Sequence, residues 1–225
     1  MTRFAPNLGI PTQGSVIQPV SAPKYLDLGP GSFPDVVWFQ ARLYVAYRSA
    51  NNLAINLYSY DKNLGDQRVE KIFILSSGAG GYPRMTTYNN TLWLAYRDGE
   101  SSGEDIKLWR KDTGATESLG PAVGNDPVAV GNGYIAWQKC EGTNCANSKV
   151  YRRQLAGGTQ VYIQNSLPTG IARILPNGSV VMIDTDRTAV TWGLNAWFAG
   201  KLTVATDVTP NDDNGVAARM NNLAS

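Results

Sequence analysis

From Phe33 onward, short runs of alternating apolar and polar residues are separated by clusters of Gly, Pro, Asn and Asp. Alternation with period two places one set of side chains on each face of a strand, and the clusters supply the backbone freedom that turns need. The stretch Phe33–Gly65, FPDVVWFQARLYVAYRSANNLAINLYSYDKNLG, therefore reads as three short strands joined by tight turns. The outline returns at Tyr82–Gly114 (YPRMTTYNNTLWLAYRDGESSGEDIKLWRKDTG) and at Asp126–Gly158 (DPVAVGNGYIAWQKCEGTNCANSKVYRRQLAGG). A more divergent copy spans Thr169–Gly200 (TGIARILPNGSVVMIDTDRTAVTWGLNAWFAG).

A closing β-prone run follows each copy, so the unit has four strands. The first strand is VVWF, MTTY, VAV or ARIL, and it turns at QAR, NN, GNG or PNG. The second is Leu43–Arg48, Leu92–Arg97, Tyr134–Gln138 or Val180–Asp184. The third is INLYSY, IKLWR, KVYRR or TWGLNAW, and the fourth lies in Lys71–Gly81, Thr116–Asn125, Gln160–Gly170 or Leu202–Gly215. Self-similarity at a period of roughly 40 to 50 residues with four short strands per unit is the pattern of a β-propeller blade. The other all-β readings, a sandwich or an open meander, rarely carry internal repeats. The expected fold is all-β, a propeller of four-stranded antiparallel blades. The run Lys24–Gly29 (KYLDLG) and the segment Asn214–Ser225 (NGVAARMNNLAS) look like a spare fourth strand and a spare first strand with its turn. They suggest five blades, one built from both chain termini. The domain division is an extended arm over 1–23 and a single propeller over 24–225.

Composition narrows the chemistry. The 225-residue chain has a net charge of +2 and neither a basic tract nor an acidic tail, so neither nucleic acid nor membrane insertion is expected. It contains no histidine, which removes Ser-His-Asp and Cys-His mechanisms and His-containing zinc sites. The start, MTRFAPNLGIPTQG, has no apolar core of signal-peptide length. The expectation is synthesis in the cytoplasm and action in a virion, or outside the cell after lysis.

The pieces FPDVVWFQARLYVAYRS and YPRMTTYNNTLWLAYRDG, each with a proline opening the first strand and a second strand ending in Tyr-Arg, resemble the sialidase-like or BNR-type propellers. They are similar also to the small propellers of bacteriophage tail and adsorption proteins. The resemblance spans about residues 24 to 220. The Asp-box of those families, S-x-D-x-G-x-x-W, is absent; the nearest piece, Asp186–Trp192 (DRTAVTW), lacks its glycine and its spacing.

In a four-stranded blade the loops after strands two and four emerge at one end, and function usually sits on such loops. Candidate ligand contacts at that end are Arg48, Arg84, Arg97, Asp98, Asp184, Asp186 and Arg187. Guanidinium forks match a carboxylate bidentately, and the resemblance implies arginines that hold an acidic substrate. The competing expectation is that Arg48 and Arg97 make repeat-to-repeat ion pairs, for example with Asp35 and Asp98. Glycoside hydrolysis needs two carboxylates flanking one bond, and nothing in the spacing pairs any two specifically. No catalytic residue, metal or cofactor is assigned. Cys140 and Cys145 bracket a short loop and either form a disulfide or remain free thiols. The functional expectation is a non-enzymatic structural or binding propeller, a phage tail or adsorption component in oligomeric context with other virion or assembly proteins, and with a cell-surface glycan as a further partner. The alternatives are a sialidase-like glycoside hydrolase and a free-standing lectin.

Overall fold

Among the described residues sixteen strands follow one another, and consecutive groups of four pair into four antiparallel sheets. The computed structural model describes residues 27–76, 80–99, 105–122, 128–141, 149–164, 170–175, 178–183, 188–192 and 197–203. The first sheet holds β1 (Gly31–Phe39), β2 (Arg42–Ser49), β3 (Ala54–Tyr60) and β4 (Gln67–Ile74). The second holds β5 (Gly81–Tyr88), β6 (Thr91–Asp98), β7 (Asp105–Arg110) and β8 (Thr116–Pro121). The third comprises β9 (Val128–Gly131), β10 (Tyr134–Lys139), β11 (Lys149–Gln154) and β12 (Val161–Gln164). The fourth comprises β13 (Gly170–Ile174), β14 (Val180–Ile183), β15 (Thr188–Trp192) and β16 (Trp197–Thr203). Each is an up-and-down meander in sequence order.

The hairpins between first and second strands fix the register. Gln40 and Ala41, Asn89 and Asn90, and Asn132 and Gly133 all have positive φ, the backbone that two-residue turns of matching twist require. Asn and Gly reach this region at low cost, which explains the Asn-Asn and Asn-Gly pairs. In the fourth sheet Gly178 has φ 79° and its N–H donates to Leu175 O. With register set, a one-residue slip is forbidden, because it would turn every apolar side chain outward.

Second strands are apolar on both faces. On β6, Leu92, Leu94 and Tyr96 join a cluster with Ile55, Leu57 and Phe73 of the first sheet. Trp93 and Ala95 of the same strand face the other way, onto Val128, Ile135 and Trp137 of the third. Ala136 and Val150 of the third sheet pack with Ile174 and Val180 of the fourth. Sheets therefore stack face to face in chain order, and the first strands β1, β5, β9 and β13 contact one another in series. Tyr44, Tyr47, Trp93, Tyr96, Trp109 and Trp137 are all buried in these interfaces and faces.

Two sequence expectations differ in detail. TWGLNAW does not form one third strand: β15 ends at Trp192 and β16 begins at Trp197. Apolar residues continue across both strands, so periodicity alone shows no break there. In KYLDLG, the residues Asp27 to Gly29 lie outside any strand. The expected arm over 1–23 and the segment Asn214–Ser225 lie outside the described residues.

Ala41 holds φ 61° without being glycine, a conformation that costs an L-residue roughly 1–2 kcal/mol. Ala41→Gly is expected to raise unfolding stability by about 0.5–1 kcal/mol, read as a higher urea midpoint at unchanged m-value.

Candidate functional site

Two β-bulges of the same design begin the first and second sheets. On β1, Phe33 and Pro34 lie between the pairs Ser32–Arg48 and Asp35–Ala46, so two residues oppose the single Tyr47. On β5, Tyr82 and Pro83 lie between Gly81–Arg97 and Arg84–Ala95, opposite Tyr96. The bulge proline has no N–H to lose from the ladder. The aromatic before it takes a left-handed backbone, φ 52° at Phe33 and 54° at Tyr82. Bulky side chains rarely adopt this conformation, and here it occurs at the same position in both repeats.

The strain brings the two rings together. Phe33 and Tyr82 pack at a centroid distance of 4.2 Å across the two sheets. The Arg48 guanidinium sits 4.8 Å from the Phe33 ring and 5.9 Å from the Tyr82 ring, and the Arg97 guanidinium lies 5.8 Å from the Tyr82 ring. Arg48 Nε donates to Ser32 Oγ at 3.2 Å, and its Nη1 donates to Gly80 O at 3.0 Å. Gly81 makes room for this arrangement: a Cβ there would meet Arg48 Cδ at 2.5 Å. Burial lowers the Arg97 pKa; the Tyr82 phenol opposes that shift, and the like charge of Arg48 adds to it.

Arg48 and Arg97 thus meet around one ring, which the linear spacing did not reveal. Their proposed acidic partners are engaged elsewhere. Asp98 accepts from Ser76 N and Ser76 Oγ at 2.7 and 2.8 Å. Asp35 accepts the Met85 N–H from across the sheet boundary. Burial raises the Asp35 pKa, with the Met85 hydrogen bond and the nearby Arg84 charge pulling it back. Asp184, Asp186, Arg187 and Cys145 lie outside the described residues, while Cys140 is disulfide-bonded. Gln138 is the third-sheet equivalent of Arg48 and Arg97. It is fully buried, and among the described residues its carboxamide has no hydrogen-bond partner.

The opposite end of the sheets carries a polar network that motif reading missed. Arg42 donates to Ser59 Oγ at 2.8 Å, and Ser59 donates to Glu70 at 2.5 Å. Glu70 pairs with Lys111 of the second sheet, which lies over the Tyr44 ring. Burial pushes the Glu70 pKa up, but Lys111 and Ser59 outweigh it and hold the carboxyl below its usual value. Two neighbouring clefts of about 330 and 320 Å³ open beside the turn at Leu155–Thr159. Trp93, Arg110 and Glu117 line one, while Tyr134, Arg152 and Arg153 line the other. Arg110 covers the Trp93 ring and chelates Asp112, and Arg153 pairs with Glu117, so these two cations are matched by carboxylates. The adjacent Gly157 and Gly158, both at positive φ, were the signal for an unusual turn here. Among the described residues no three acidic or cysteine side chains converge as a metal site.

No family model matches the sequence, and no curated protein matches it. Solved structures do resemble the backbone, among them the crystal structure of TolB from Acinetobacter baumannii, with a TM-score of 0.44 and 14% identity over 66% of this chain and 37% of that one. This chain thus spans little more than a third of that protein, and a likeness of this degree carries no weight for function.

Arg48→Ala is expected to lower unfolding stability by about 1–3 kcal/mol, through loss of a charge-assisted hydrogen bond and the ring contacts. Arg48→Lys should restore part of it, since an ammonium lacks the planar fork. Asp35→Asn keeps an acceptor for Met85 N–H and removes the charge. Because the folded pKa lies above the ordinary 3.8, the native state binds the proton more tightly and stability falls as pH rises from 3.8 through the folded value. The variant should lack that fall, which denaturant titrations across the pH range would read.

Proposed function

We propose that the four sheets belong to a β-propeller of five four-stranded blades that works by surface contact and not by turnover. On this reading it is a component of a virion or a comparable assembly, meeting partner proteins and a cell-surface glycan at the end that carries Phe33, Tyr82 and Arg48. The propeller reading is supported by the serial contact of the first strands and by the face-to-face stacking of sheets that are each a simple meander.

The observation that carries the functional reading is the seating of Arg48. A sialidase-like hydrolase would need this arginine and its neighbours directed at an acidic substrate, with a carboxylate pair across the bond. Instead Arg48 holds the Gly80 carbonyl and Ser32, and Asp35 and Asp98 accept backbone and hydroxyl donors. What this leaves for a ligand is a partly exposed aromatic pair edged by a cation. Phe33 retains 36% of its surface exposed, enough for contact with the apolar face of a sugar ring or a partner's side chain. A lectin with equal sites in several sheets is less well supported, because the Arg48 position becomes the buried Gln138 in the third.

A panel of glycans and surface polysaccharides, scored in the same wells for retention and for released sugar, tests this. Retention without release is expected, and Phe33→Ala should weaken it about fivefold to tenfold, as losing an aromatic contact of about 1 kcal/mol implies. Released sugar would overturn the non-enzymatic reading.

A further inference from the structure

The turn after the third strand makes the same backbone hydrogen bond in two successive sheets. Lys111 N donates to Leu92 O at 2.9 Å in the second, and Leu155 N donates to Gly133 O at 2.8 Å in the third. Lys111 and Leu155 are therefore equivalent positions. The rings Tyr44, Trp93 and Tyr134 are equivalent too, each opening the repeated run YVAY, WLAY or YIAW. Each turn residue reaches back to the ring of the preceding sheet. Lys111 lies over Tyr44, 5.3 Å from the ring centroid, and its ammonium pairs with Glu70 of β4. Leu155 packs with Trp93 in one apolar cluster.

Leucine is shorter than lysine and carries no charge. The ion pair across the second boundary is made instead by Arg153 on β11 with Glu117 on β8. Where the stem and head of Lys111 lie at the first boundary, the second has the cleft of about 330 Å³ lined by Leu155. That volume falls at the small end of the range for ligand sites. Trp93, Leu108 and Leu155 are buried and form an apolar floor, while Thr113, Thr116 and Glu117 are exposed at the rim. On the third-sheet side Gly157 has φ 107°, and a Cβ there would meet nothing within 4 Å, so a ligand can lie against bare backbone. The charged side chains lining this cleft are Arg110 and Glu117, and both are already matched, by Asp112 and Arg153. A charged ligand would lose its water without gaining an unmatched partner among them. A wholly apolar ligand would strip water from the threonine hydroxyls. The lining suits a neutral group with one apolar face and hydroxyls along its edge.

We infer that this cleft binds a pyranose ring of a neutral saccharide. The C–H face of the sugar lies on the floor of Leu108 and Leu155 beside Trp93, and its hydroxyls meet Thr113, Thr116 and the Glu117–Arg153 pair. Threonine hydroxyls both donate and accept, and a carboxylate held by a guanidinium keeps lone pairs for further donors. The site lies at the end of the sheets opposite Phe33 and Tyr82. It is separate from the glycan contact proposed above and does not depend on it.

Amide-shift mapping on the ¹⁵N-labelled full chain tests this. The neutral probes are the methyl pyranosides of glucose, galactose, mannose and N-acetylglucosamine; the charged ones are glucuronate and glucosamine. At least one neutral probe is expected to shift the Ala115, Ala156 and Gly157 amides saturably and to bind more tightly than either charged probe. Ala115→Trp and Ala156→Trp fill the cleft from its two sides at exposed positions. Each should weaken that binding about tenfold or more, with amides outside the cleft unmoved. Phe33→Ala should leave it unchanged, so failure of this site and failure of the Phe33 contact are read separately. A charged probe that binds more tightly than every neutral one would overturn the choice of ligand. Shifts confined to the Phe33 end, no shifts from any probe, or full binding by both filled variants would overturn the site.

Discussion

A sheet whose two faces are both apolar cannot be stable alone, and the second strands impose that condition on this chain. On β6 every residue from Thr91 to Arg97 is buried, with Leu92, Leu94 and Tyr96 directed into one interface and Trp93 and Ala95 into the other. Burying one leucine fully is worth about 1.5–3 kcal/mol, so each interface contributes far more than any single polar contact in the molecule. Stacking in series follows from this. On the first sheet, the face turned away from the second keeps Val36, Trp38, Val69, Ile72 and Ile74 exposed.

Polar groups at the two ends of the sheets work within that frame. Cations lie over aromatic rings within and between the sheets: Arg48 over Phe33, Lys111 over Tyr44, Arg152 over Tyr134, and Lys71 over Phe73 and Trp109. Each such contact is worth about 0.5–2 kcal/mol, depending on how dry it is. Most are tied by a hydrogen bond to a neighbouring backbone or carboxylate, as Arg152 is to Gly178 O. The flexible stems cover apolar edges that strand ends would otherwise expose, while the charged heads satisfy orphan carbonyls. An arginine placed at a repeat boundary is therefore well used structurally before any ligand arrives. Repeat position alone could not distinguish the two roles.

Much of the fold was legible because repetition and alternation are local. The apolar runs located the strands, and Asn89-Asn90 and Asn132-Gly133 named their turns, since those residues tolerate positive φ. Gln40-Ala41 makes the same turn without that chemistry, and only the copies beside it gave it away. The candidate site was legible in part. Arg48 and Arg97 could be picked out as equivalent, but their meeting around Tyr82 depends on a ring from one sheet entering the boundary of the next. The left-handed backbone of Phe33 and Tyr82 was not legible, because nothing in an aromatic-proline pair demands it.

What the sequence by itself determined is the unit: four strands, their order, their turns and the alternation that gives each sheet its apolar faces. Those follow from the side-chain period of an extended chain and from the few residues that accept positive φ. Only the tertiary structure decided how the units use their polar residues. It gave Asp35 to the Met85 amide of the next sheet, Arg48 to Gly80, and Glu70 to Lys111. These partners lie 32, 41 and 50 residues away in sequence and become neighbours only when sheets stack, so the stacking geometry, set by apolar burial, selects the contact.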